Sequence, residues 1–297
     1  MPAPPLSLVL AAFAAVYVIW GSTYLGIRLA VESIPPFLMA GGRFTLAGIL
    51  LYAFARWRKI PGPEPRHWLS ATLIGGLLLL VGNGAVSWAQ KRVPTGVTAL
   101  IVASVPLWIM LVDWLRPKGR RPTVLTVFGL FVGFAGVGVI VASRNVAGHR
   151  VLDPLAGIIL LLASLGWAIG SVYSRHAPKP RSPILAIAMQ MLAGGALLLL
   201  TGLLTGEGKG FSLAKVTTTS FWAFIYLGIF GSLIGFTAYV WLLQVSTPAK
   251  VSTYAYVNPV IAVLLGHLVL KEEVPKSVAL AGGLVLASVI LVTRRSR

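Results

Sequence analysis

The side chains able to do chemistry in this sequence are amides, hydroxyls, aromatic rings and one arginine, all set inside long apolar stretches. Tyr254 and Asn258 are four residues apart and Pro259 follows directly, so on a helix the ring and the amide share a face. A proline within a helix leaves the carbonyl four residues earlier unbonded. Pro259 thus points to Ala255, and Pro106 to Val102, as free acceptors. Either those carbonyls meet a solute or the prolines only bend helices to fit their neighbours. An Asn amide both donates and accepts, while a tyrosine offers an apolar face with a polar tip. Together they suit an amphipathic zwitterion. This is binding chemistry rather than covalent chemistry.

Two polar stripes extend the set. Asn83, Ser87 and Gln90 follow one another at i, i+4 and i+7, and Thr237, Trp241 and Gln244 repeat the spacing. In lipid such a stripe must turn inward, toward a cavity or onto a neighbouring helix. Asn83, Ser87 and Thr237 are candidates for the cavity wall, whereas Gln90 and Gln244 fall near the ends of their stretches. Trp20, Ser22 and Tyr24 in the first stretch, with Trp167 in the sixth, complete the candidates. Gly82, Ala85 and Trp88 recur as Gly235, Ala238 and Trp241 and read as a packing surface. Trp57, Trp68, Trp114 and Trp222 read as an aromatic belt at the membrane interfaces.

Arg43 is the one basic residue well inside an apolar stretch, where its burial costs about 2.5 kcal/mol or more. It either meets a substrate carboxylate or caps carbonyls of neighbouring helices, the second being the simpler expectation. His267 is expected to be a buried, hydrogen-bonded residue rather than a proton carrier. Of the seven acidic residues only Asp113 lies within an apolar stretch, and it is close to Arg116. Without a carboxylate relay, proton antiport is disfavoured and facilitated movement is expected. There is no cysteine, and the sequence contains no GxSxG, GxGD, HExxH or phosphate-binding GxxxxGK[ST] motif. Ser171 and His267 are the nearest conceivable catalytic pair. No enzyme activity, metal or cofactor is expected.

The elements that must position these residues follow from composition. Of 297 residues 57% are hydrophobic and 11% charged, against roughly 25% charged in ordinary soluble domains. A crossing by helix takes about 20 apolar residues. Apolar runs occupy 6–30, 36–55, 68–90, 95–115, 123–143, 154–174, 183–204, 219–244, 249–270 and 276–293. The first continues from Leu6 to Leu29 without a basic leader and reads as a retained helix rather than a signal peptide. The formal charge of +18 sits between the runs. With a cytoplasmic N-terminus, fifteen of the 25 Lys and Arg fall inside and nine outside, which follows the positive-inside rule and removes the need for a nucleic-acid partner.

The chain also repeats itself. Adding 147 carries Trp20, Arg28, Pro36 and Gly48 onto Trp167, Arg175, Pro183 and Gly195. Adding 153 carries Gly75, Gly82, Ala85, Trp88, Pro106, Lys118, Pro122 and Gly129 onto Gly228, Gly235, Ala238, Trp241, Pro259, Lys271, Pro275 and Gly282. Five crossings is an odd number, so a second copy must enter the membrane the other way up. The expected fold is an all-α integral membrane protein of ten transmembrane helices, as two inverted five-helix repeats, 1–146 and 147–297. Both termini are expected in the cytoplasm.

With the five-plus-five plan, Trp20-Gly21-Ser22-Thr23-Tyr24, Arg43-Phe44 and the Pro106 and Pro259 helices, the sequence resembles the EamA branch of the drug/metabolite transporter superfamily. The resemblance implies an inner-membrane exporter working by alternating access, with a central cavity built from the first, third, fourth, sixth, eighth and ninth helices. It also implies a peripheral second helix, whose Arg43 is answered in the second half by Gln190. Amino acids, including aromatic ones, fit an aromatic cavity without fixed negative charge. Cationic drugs are the alternative, and a channel or intramembrane enzyme fits less well. The expected partners are a small-molecule substrate and the bilayer. Gly129, Gly133, Gly136, Gly138, Gly282 and Gly283 serve either packing within the chain or a homodimer through the fifth and tenth helices.

Overall fold

A computed structural model describes residues 4–116, 123–142, 153–273 and 275–294. The repeat boundary at 146 and 147 lies outside the described residues, as do the basic residues Lys118, Arg120, Arg121, Arg295 and Arg297. Helices account for the regular structure, and no strand occurs among the described residues. We label the long helices α1 (Leu6–Ala30), α2 (Pro36–Trp57), α3 (Pro65–Ala89), α4 (Thr95–Leu115), α5 (Val124–Ala142), α6 (Pro154–Ser174), α7 (Pro183–Leu204), α8 (Thr218–Val245), α9 (Tyr254–Leu270) and α10 (Lys276–Arg294). Seven of these, α1 to α4 and α6 to α8, are long and apolar enough to cross a bilayer. Shorter apolar helical stretches run Val127–Ile140, Val257–Leu270 and Ala279–Ser288.

The boundaries have local causes. Pro36, Pro65, Pro154 and Pro183 open their helices in the first turn, where a missing N–H costs nothing. Asp153, Ser182 and Thr217 cap α6, α7 and α8 through their side chains. At the end of α9, Lys271 turns left-handed at φ 57°. The Lys271 and Glu272 amides then donate to the His267 and Gly266 carbonyls, both at 3.1 Å, which closes the helix end. Apolar side chains such as Leu50, Phe128, Leu203 and Leu264 face outward, as lipid requires of a surface with no water to satisfy.

Small residues set the close helix contacts. A Cβ at Gly75 would stand 2.6 Å from the Gln190 carbonyl oxygen, and one at Gly194 2.8 Å from that of Gly75, so α3 and α7 touch backbone to backbone. Gly133 and Gly136 of α5 meet Ser288 and Ala281 of α10, and Gly282 meets Leu100. Those glycines serve contacts within the chain, while a Cβ added at Gly138 or Gly283 would meet no neighbouring helix within 4 Å.

Two departures from plain α-helix shape the interior. α3 is π-helical over Gly76–Gly84 and α8 over Leu227–Phe236, at matching places in the repeat. α4 divides into Thr95–Val102 and Val105–Leu115. Pro106 therefore stands in the first turn of a new segment, not in mid-helix as the spacing predicts.

Candidate functional site

The two π stretches, the break in α4 and the start of α9 converge on one cavity of about 640 Å³, the open space at its mouth included. Trp20, Thr23, Tyr24 and Ile27 of α1 line it, with Gly82, Asn83 and Val86 of α3 and Val102 and Val105 of α4. Ala163, Ser164 and Trp167 of α6, Gly231 and Phe236 of α8, and Tyr254 and Asn258 of α9 line it as well. Arg43 and Phe44 of α2 complete it. The second helix, expected to be peripheral, thus contributes to the centre. No carboxylate is among the lining residues.

Four rings dominate one end. Trp20 meets Trp167 edge-on at 5.4 Å, Tyr254 edge-on at 5.3 Å and Tyr239 tilted at 4.8 Å between centroids. Trp167 is held by a closed chain of hydrogen bonds. Its Nε1 donates to the Tyr239 hydroxyl at 2.8 Å, the Tyr239 hydroxyl pairs with Ser171 Oγ at 2.6 Å, and Ser171 donates back to the Trp167 carbonyl at 2.6 Å. Trp20 has one long bond, 3.4 Å, from Nε1 to the Gly231 carbonyl.

Polar groups line the cavity beside the rings. Arg43 is 2% exposed. Its Nη2 donates to Asn83 Oδ1 at 2.7 Å and its Nη1 to Ser232 Oγ at 3.3 Å, while the guanidinium carbon lies 4.2 Å from the Phe44 ring centre. Its Nε has no acceptor among the described residues. Its hydrogen-bond partners are these side chains rather than the expected carbonyls. The Asn258 amide nitrogen, oriented by its neighbours, donates to the Tyr17 carbonyl at 2.9 Å and the Tyr254 carbonyl at 3.2 Å. Only its Oδ1 is left for a solute.

Of the residues singled out from sequence, Trp20, Tyr24, Asn83, Trp167, Tyr254 and Asn258 meet at the cavity. Ser22 does not line it: its hydroxyl donates to the Ile19 carbonyl and pairs with the Tyr226 hydroxyl. Ser87 is fully buried, and the hydroxyls of Ser87 and Thr237 have no partner among the described residues. Neither residue lines the cavity. Pro106 is buried in α4 and Pro259 borders an apolar outer groove with Leu100, Val260 and His267. His267, expected to be buried, is exposed, its Nδ1 3.2 Å from the Glu272 carbonyl. The spacing missed Thr23, Gly231, Phe236 and the fixing role of Tyr239. The unexplained burial of Arg43 was the signal that α2 reaches the centre.

Comparison with known proteins agrees with this architecture. The model of the EamA-like transporter family matches residues 6–142 and again 155–294. The chain is 42% identical over 280 residues, 94% of its length and 88% of the relative's, to the uncharacterized inner membrane transporter YedA of Escherichia coli (strain K12). It is 28% identical over 283 residues to the probable terminal-alkyne amino-acid exporter of Streptantibioticus cattleyicolor, covering 94% of this chain and 91% of that one. A solved crystal structure shares the fold with a TM-score of 0.66 at 23% identity, over 97% of this chain and 98% of the other.

Proposed function

The chain belongs to the EamA-like transporter family, a family of helical membrane transporters, and on that premise we propose that it exports small amphipathic metabolites, amino acids first among them. The protein sits in the inner membrane with both termini in the cytoplasm. Ten crossings form two inverted five-helix repeats, 1–146 and 147–297, which alternate access to the cavity between them. Support for the repeat comes from the two separate family matches and from the recurrence of the π stretch.

The observation that carries the reading is an aromatic cavity, drawn from helices of both halves, with no carboxylate in its lining. Rings suit the apolar part of an amino acid, and Asn258 Oδ1 can accept from its ammonium. The relationship to an amino-acid exporter supports the same class. Cationic drugs fit less well, because a fixed positive charge stands in the wall. Transport is facilitative in this reading, since no acidic residue lines the cavity to carry a proton.

Purified protein in proteoliposomes tests this. Aromatic amino acids should equilibrate across the membrane, and an imposed pH difference should change the rate only modestly without driving accumulation. Asn258→Ala should slow flux about tenfold, the order of one lost hydrogen bond to a charged group. No flux of any amino acid, or uphill accumulation driven by the pH gradient, would refute the reading.

A further inference from the structure

From its position in the cavity wall we infer that Arg43 is the anchor for a carboxylate on the transported solute. The inference deepens the transport reading and rests on that cavity being the solute's site. An arginine keeps its charge in any protein environment, and a buried cation is normally paired. Arg43 is 2% exposed, and none of the salt bridges among the described residues includes it. All seven acidic residues lie within the described part of the chain, and none lines this cavity. The charge is met only by neutral groups, Asn83 Oδ1, Ser232 Oγ and the Phe44 ring.

The guanidinium keeps a donor that no group among the described residues uses. Nε is the group left without an acceptor, and it belongs to the planar fork that matches a carboxylate. Asn83 holds Nη2, so the guanidinium is oriented before any solute arrives. Gly231 lets the guanidinium itself pack close to α8: a Cβ there would come within 3.2 Å of Nη1 and of the Thr23 methyl. Asn258 cannot take this role, because its amide hydrogens already serve the Tyr17 and Tyr254 carbonyls. The carboxylate therefore sits at the α2 and α3 side, and the apolar part extends toward Trp20, Trp167 and Tyr254. Small amphipathic monocarboxylates are the ligand class, with or without an amino group.

Two ligands of the same shape isolate the charge: 3-phenylpropionate and its neutral amide, titrated calorimetrically into purified protein in detergent. Wild type should bind the acid at least tenfold more tightly, the scale of a lost charge-assisted hydrogen bond. Arg43→Gln should bring the two within about twofold. Arg43→Lys, which keeps the charge but loses the fork, should retain an intermediate preference and stands in if the glutamine variant does not fold. Equal binding of acid and amide by wild type, failure of wild type to bind the acid, or an undiminished preference in either variant would overturn the inference. Binding of phenylalanine is measured in parallel. If it fails while the acid binds through Arg43, the amino-acid reading falls and the carboxylate anchor stands.

Discussion

Gly82 and Gly235 stand at the same place in the two halves, each on a π-helical stretch, and each admits the tryptophan of the opposite half. A Cβ at Gly82 would lie 2.6 Å from the Trp167 ring, and one at Gly235 2.5 Å from Trp20 Nε1. Gly82 meets the six-membered ring of Trp167 and Gly235 the Nε1 edge of Trp20, and the two rings are held differently. Trp167 is fixed through Tyr239 and Ser171, whereas Trp20 has one 3.4 Å bond to a carbonyl. The repeat has therefore fixed the shape of the cavity, and unmatched residues have made one tryptophan a rigid wall and left the other able to yield.

The largest effect should come from pressing on the rigid wall. Overpacking a core costs about 1–3 kcal/mol, less where the struck group can move. Gly82→Ala should fall near the top of that range and Gly235→Ala near the bottom, read as the larger and the smaller drop in melting temperature of the purified protein. Equal drops, or the reverse order, would break the comparison. Tyr239→Phe sharpens it by releasing Trp167. In that background the Gly82→Ala penalty should shrink by about 1 kcal/mol, a coupling expected of residues joined through one network. Strict additivity would mean that Tyr239 does not pin the ring.

How much of this was open to reading in the sequence depends on the backbone. Apolar runs locate the helices because every residue in lipid must satisfy its backbone internally. Trp20, Tyr24, Trp167, Tyr254 and Asn258 stand out as aromatic or polar groups within such runs. The stripe from Asn83 to Ser87 assumes that four residues return to the same face, and the π stretch breaks that assumption. Hydrogen bonds from i to i+5 turn the chain less per residue, and Asn83 reaches the cavity while Ser87 does not. Gly82 reads equally as packing, because spacing alone cannot say whether a glycine faces a helix or a tryptophan. The choice between the two roles open to Arg43 was not legible for a related reason: its partners Asn83 and Ser232 come from helices far apart in the chain.

At two helix starts of the first half the cap is a carboxylate from the second half. Glu207 Oε2 accepts from the Phe37 and Leu38 amides at 2.9 and 3.0 Å, at the start of α2. Glu272 Oε1 accepts from the Thr95 amide and hydroxyl, both at 3.0 Å, at the start of α4. Both carboxylates come from the second half. Its own α7, and the short turn Pro248–Val251 before α9, are capped locally by Ser182 and Thr247. Removing a cap costs about 0.5–2 kcal/mol. Glu272→Ala should therefore lower stability by about 1 kcal/mol, and Ser182→Ala, whose bond is 3.4 Å long, by less. A Ser182→Ala loss as large as that of Glu272→Ala would end the distinction between borrowed and local caps.

The smallest effect separates charge from hydrogen bonding in a borrowed cap. Burial raises the pKa of the Glu207 carboxyl from its ordinary value, against the opposing pull of the Leu38 and Phe37 amides and of Lys91. The folded protein thus holds this proton more readily than the unfolded chain does, and linkage fixes the sign. The contribution of Glu207 to stability is fully present below the ordinary carboxylate pKa and is lost as pH rises through the raised folded value. Glutamine keeps an oxygen acceptor for the two amides and has no proton to lose. Glu207→Gln should therefore keep the cap, flatten this part of the pH dependence and leave the protein slightly more stable than wild type at neutral pH. Melting temperatures of both proteins from pH 4 to pH 7.5 decide it, because other titrating groups are common to the two and cancel in the difference. Parallel pH profiles would mean that the carboxylate is no more costly buried at the start of α2 than in water.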